Sequence, residues 1–144
     1  MVTPFSPLES AAWGGFLSAY ARLDRAIDAD LLAHDGIRHV EFEVLLRLWR
    51  QPDRRLRIQE LAAQSLLTRS GLSRLCDRLV RMGHLTREAA PEDRRGAYVV
   101  LTSQGRRVFE TAATRHMALV REQFLGRLTQ SELQQLGALW PRLG

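Results

Sequence analysis

Apolar residues recur at helical spacing almost from the start of the chain. Trp13, Phe16, Leu17, Tyr20, Leu23, Ile27 and Leu31 repeat every three or four positions, which predicts a helix running to about residue 34 and stopped by Gly36. Ser6, Pro7 and Glu9 supply an N-cap, a first helical position and a capping-box acid, so the helix starts there. A helix this long in a small chain carries more apolar surface than its own neighbours can cover, which marks it for dimerisation. Residues 39–51 read as a second helix, apolar on two faces: Phe42, Leu45, Leu46 and Trp49 on one, Val40, Val44 and Leu48 on the other. A helix apolar nearly all round belongs at the centre of a core.

Beyond Gln51-Pro52-Asp53, the stretch Leu56-Arg57-Ile58 is short enough for a minor strand. Ile58, Leu61, Ala62, Ser65 and Leu66 mark the buried face of a third helix, and Leu67 turns the chain. Thr68 then caps a fourth helix to Met82, buried through Leu72, Leu75, Cys76 and Leu79 and stopped by Gly83. The pattern changes to alternation over Leu85–Ala89 and Ala97–Thr102, two strands joined by a Pro-, Asp- and Gly-containing loop with a basic tip. Thr102 or Ser103 caps a long helix with the stripe Phe109, Ala112, Ala113, His116, Val120 and Phe124, which Gly126 ends. Thr129 and Glu132 open a last one, apolar through Leu133, Leu136, Trp140 and Leu143. Two short helices around a tight turn, followed by a two-stranded hairpin, make a winged helix-turn-helix in a mainly α chain.

Charge sharpens this picture. All 21 basic residues are arginine, and residues 54–107 carry 12 of them against 5 acids, whereas residues 1–53 carry 5 against 8. Guanidinium groups suit phosphates and base edges, so the middle of the chain reads as a nucleic-acid-binding lobe. On the outward face of the fourth helix, Ser70, Ser73, Arg74, Asp77, Arg78 and Arg81 fall together; a solvated basic face on a core helix is the alternative reading. The 144 residues fit one domain, with residues 1–35 and 103–144 as dimerisation helices around a DNA-binding lobe at 36–102.

Composition also excludes. No apolar stretch approaches the roughly 18 residues of a membrane span, and the first ten residues lack a leader pattern, so a cytoplasmic protein is expected. Cys76 is the only cysteine, and it falls on a buried stripe, which favours packing over a redox role. His34, His39, His84 and His116 match no closed zinc spacing, so neither metal nor cofactor is expected. No nucleophile with a base, carboxylate pair or phosphate-binding glycine loop stands in a supporting context, so the chain does not read as an enzyme.

Glu60-Leu61-Ala62, Ser73-Arg74-Leu75-Cys76-Asp77-Arg78-Leu79-Val80, Gly83, Leu85, Arg87, Pro91-Glu92-Asp93-Arg94-Arg95-Gly96 and Val100-Leu101-Thr102 with Gly105 resemble the MarR family of bacterial transcription regulators. The resemblance implies a homodimer with interleaved terminal helices and two lobes on a pseudo-palindromic operator in double-stranded DNA. It also implies repression relieved by a small, commonly phenolic, aromatic ligand. An activator, a redox sensor or a winged-helix module binding protein partners are the alternatives, the last opposed by the basic wing. By position, Thr68, Arg69, Ser70, Ser73, Arg74 and Arg78 would meet the major groove and its phosphates, Arg95 the minor groove and Arg94 a phosphate, with Asp93 orienting an arginine. Trp13, Phe16, Tyr20, His39, Phe42 and Trp49 are candidates to line a ligand cleft, or else form the dimer core. Gly71 departs from the family, which often has a larger residue there; glycine costs a helix up to about 1 kcal/mol.

Overall fold

The computed structural model of the chain describes residues 3–65, 67–90 and 97–143. Its elements follow in the order α1 (Pro7–Asp35), α2 (His39–Arg50), β1 (Arg55–Arg57), α3 (Ile58–Ala63), α4 (Arg69–Arg81), β2 (Leu85–Ala89), β3 (Ala97–Leu101), α5 (Ser103–Gln123) and α6 (Gln130–Leu139). Short 3₁₀ turns follow α5 and α6.

Four helices begin the same way. In α1, α2, α3 and α6 the third helical residue is a glutamate whose carboxylate accepts the N–H of the capping residue, from Glu9, Glu41, Glu60 and Glu132 at 2.7–2.9 Å. Each satisfies an amide that the helix leaves orphaned and places negative charge on the positive end of the dipole. Helices α4 and α5 differ: Thr68 and Thr102 accept the N–H of Gly71 and Gly105, and neither first turn carries an acid.

The core is one cluster shared by every element except α6. Ile27 and Leu31 from the second half of α1 meet Phe42, Val44, Leu45 and Leu48 of α2, Leu61 of α3, Leu72, Cys76 and Leu79 of α4, Val99 of β3 and Phe109 and Ala112 of α5. Helix α2 is central, as its pattern predicts, with one correction. Val40 is 40% exposed, while the polar Glu41 beside it is buried. The three strands form an antiparallel sheet in the order β1-β3-β2, Leu85 facing Leu101 and Ala89 facing Ala97, with Leu56 of β1 opposite Val99. The minor strand predicted at 56–58 thus begins one residue earlier and completes the sheet of the wing.

One joint locks the sheet to α5. Thr102 Oγ1 donates toward the carbonyls of Gly83 (2.7 Å) and His84 (3.0 Å) while accepting from Gly105 N–H. A Cβ on Gly105 would stand 2.1 Å from His84 O, so only glycine lets α5 start this close to the turn after α4.

The first half of α1 is different in kind. Trp13, Phe16, Leu17 and Tyr20 are about half exposed, as is Trp140 from the C-terminal end, where Leu143 is mostly exposed; Phe16 stacks on Trp13 and Tyr20 and meets Trp140 at a tilt, at centroid distances of 6.0–6.5 Å. Helix α6 buries no residue within this chain.

Candidate nucleic-acid interface

Helix α4 presents its polar side outward because Leu72, Cys76 and Leu79 hold the opposite side in the core. Arg69, Ser70, Arg74 and Arg81 are exposed, and Ser73, Asp77 and Arg78 half-buried. Thr68 serves as N-cap, its hydroxyl 3.1 Å from Gly71 N and 3.3 Å from Ser70 Oγ. A Cβ at Gly71 would lie 3.1 Å from that hydroxyl, so the glycine that weakens the helix also gives its cap room. With no carboxylate in the first turn, the positive end of α4 is left for an external anion.

Beside it lies a groove of about 180 Å³ lined by Arg57, Gln59, Arg69, Ser73 and Arg87. It is smaller than the usual 300 Å³ or more of a small-molecule pocket and of a size for one phosphate group between arginines. Arg87 ties the wing to α4: its guanidinium donates to Asp77 Oδ1 at 2.7 Å and reaches Ser73 O and Oγ at 3.4 Å. Tyr98 of β3 backs the sheet arginines, with the guanidinium carbons of Arg55 and Arg57 at 4.7 and 5.4 Å from its ring centre.

Of the residues singled out in sequence, Thr68, Arg69, Ser70, Ser73 and Arg74 therefore share one face. Arg78 leaves it, because its NH1 lies 2.9 Å from Glu41 Oε1. Asp93, Arg94 and Arg95 lie outside the described residues. Arg57, Arg87 and Tyr98 were not singled out as site residues, although Arg87 is among those that carry the family resemblance and the basic bias of residues 54–107 includes both arginines; they gather through strand pairing and a helix-to-strand ion pair.

The six aromatic and histidine candidates for a ligand cleft separate. Trp13, Phe16 and Tyr20 form the exposed stripe of α1. Phe42 is buried in the lobe, 5.3 Å from Phe109 and 4.7 Å from His116, and Trp49 packs on Phe109. His39 sits where three helices meet, its Nδ1 2.6 Å from Asp24 of α1 and its ring 5.9 Å from His116 of α5. Burial, and then His39, lower the pKa of His116, and burial lowers that of His84 against the pull of Glu41. Burial pushes the Cys76 thiol up to about 11, so little thiolate exists at neutral pH. Among the described residues, no group of three or more His, Cys, Asp or Glu is arranged to hold a metal, and no helix is long and apolar enough to cross a membrane.

Comparison with known proteins places this arrangement. Residues 35–96 match the MarR family. The chain is 30% identical over 111 residues to the HTH-type transcriptional repressor YetL of Bacillus subtilis, the match covering 75% of this chain and 66% of that protein. It is also 30% identical over 109 residues to the uncharacterized HTH-type transcriptional regulator YkoM of the same organism, covering 76% and 69%. The chain thus spans about two thirds of the length of these relatives. Among solved structures, Sco3205 of Streptomyces coelicolor, a MarR family transcriptional regulator in complex with DNA, superposes with a TM-score of 0.92 at 32% identity, covering 99% of this chain and 89% of that one. The fold and these likenesses agree, and the chain belongs to the MarR family of winged helix-turn-helix transcription regulators.

Proposed function

We propose that this chain is a cytoplasmic, homodimeric repressor that binds a pseudo-palindromic operator and releases it when a small aromatic ligand binds. The observation that carries the DNA-binding part is the acid-free N-terminus of α4 beside a groove lined by Arg57, Arg69 and Arg87. Arg69 and Arg57 take phosphates and Ser70, Ser73 and Arg74 face the bases, while the family resemblance assigns Arg95 to the minor groove and Arg94 to a phosphate, with Asp93 orienting an arginine. Repression draws support from the likeness to YetL. Dimerisation draws support from the exposed stripe of Trp13, Phe16, Tyr20 and Trp140, a patch that a second copy of α1 and α6 would cover. Ligand release rests on the family resemblance, with the junction of α1, α2 and α5 around His39 as the place for it.

Binding to a random-sequence duplex across a salt series tests the reading. The logarithm of affinity falls linearly with the logarithm of salt, by about 0.9 for each phosphate neutralised. A salt-independent affinity, or none, would remove DNA from the account.

A further inference from the structure

Among the described residues, Arg78 is the one arginine on the polar side of α4 whose guanidinium turns to a buried acid. Glu41 is 2% exposed, yet both of its oxygens are used: Oε2 accepts the Arg38 backbone N–H at 2.7 Å, and Oε1 lies 2.9 Å from Arg78 NH1. A carboxylate this deep is stable as an ion only with such partners. His84, also buried, lies near it with Nδ1 unpartnered among the described residues, and burial disfavours its charged form, so it does not displace Arg78 at neutral pH. The same end of α2 is held from the other side. Asp28 of α1 accepts from Arg38 NH1 at 2.7 Å and from the His39 backbone N–H at 2.8 Å. A chain of charge-assisted bonds therefore runs from α1 through the first turn of α2 to the last turn of α4. The apolar stripe of α4 supplies attraction without direction; the Arg78–Glu41 bond fixes rotation and register.

We infer that Arg78 is a positioning residue of the recognition helix, anchored on buried Glu41, and that it sets the pose of Arg69, Ser70, Ser73 and Arg74 instead of reading DNA itself. The inference rests on the DNA-binding reading above. It makes a prediction opposite in sign to simple electrostatics. Glu41→Gln removes a negative charge and frees Arg78, so an arginine held back from DNA would then bind DNA more tightly; a lost anchor weakens selective binding.

Two probes are needed: a duplex enriched by the wild-type protein from a random-sequence pool, and the unselected pool duplex. Affinities are read at a temperature where each variant's melting curve shows it fully folded, so that lost stability does not pass for lost binding. Glu41→Gln and Arg78→Gln are each expected to weaken the enriched duplex about tenfold, with the double variant no worse than either single one, as coupled residues behave. Both leave the pool duplex and its salt slope unchanged, and Arg78→Lys, which keeps a cation facing Glu41, retains most of the selectivity. The inference is overturned if Glu41→Gln binds the enriched duplex as tightly as wild type or more so. It is equally overturned if Arg78→Gln lowers the salt slope by about 1 on both duplexes, the signature of a lost phosphate contact. Should Glu41→Gln not fold, the Arg78→Gln slope decides alone. A wild-type protein that enriches no duplex refutes the DNA-binding reading itself, a failure visible before any variant is made.

Discussion

At Arg74 and Arg78, four residues apart on one helix, the same side chain has two environments. Arg74 is exposed, whereas Arg78 is drawn to Glu41. Helical spacing alone puts both on the outward face, and nothing in the pattern of apolar positions marks Glu41, a polar residue in the first turn of α2, as buried. Helical spacing selects the outward-facing residues proposed to meet DNA; burial of one acid decides which of them is diverted. Arg74→Ala should weaken an enriched duplex by about 1 to 3 kcal/mol relative to the random pool, the value of a base-reading arginine, as measured by competition binding. Equal losses on both duplexes would make Arg74 a phosphate contact. His116 gives a pH prediction. Burial among Phe42, His39 and the facing helices lowers its pKa, so the folded state binds its proton less readily than the unfolded chain. Its contribution to stability is complete above the ordinary histidine range near 6.5 and is lost as pH falls through that range toward the lowered folded value. Thermal melts from pH 7 to pH 5 should fall more steeply for wild type than for His116→Phe; parallel curves would remove His116 as a source of acid sensitivity.

Element boundaries were legible because they are written in short-range chemistry. Ser6 with Glu9, Thr68, Thr129 with Glu132 and the stop at Gly36 are signals within four residues of a helix end, and each is made as predicted. The three-stranded sheet was only partly legible. The β1–β3 pairing joins residues more than forty positions apart, and no local signal records that Leu56 faces Val99. Gly105 is similar: as one glycine of a motif it is visible, but its reason is the carbonyl of His84 against it. Gly105→Ala should cost at least about 1 to 3 kcal/mol in urea unfolding, since the contact is with backbone that cannot rotate aside. An unchanged midpoint would show that α5 is free to shift from the turn after α4. For the same reason the basic groove could not be read as a site. Arg57, Arg69 and Arg87 come from a strand, a helix and a second strand, and only the fold brings them together.

Across the whole molecule, one half is finished and the other is not. The lobe from the second half of α1 to the first half of α5 closes a continuous core, while the aromatic stripe of α1 stays about half exposed and α6 has no buried residue. That imbalance was legible in sequence as a first helix too apolar for its surroundings. In the dimer proposed above, a second copy would cover it in a two-fold arrangement and turn two identical α4 helices toward one DNA duplex, and two-fold symmetry would then fix what the DNA must look like. Hydroxyl-radical footprinting on a duplex enriched from a random pool measures this directly. The account predicts two equivalent protected segments in an inverted repeat, their centres roughly 10 base pairs apart, both weakened together by Arg74→Ala. A single unsymmetrical protected segment, or two in direct repeat, would contradict it.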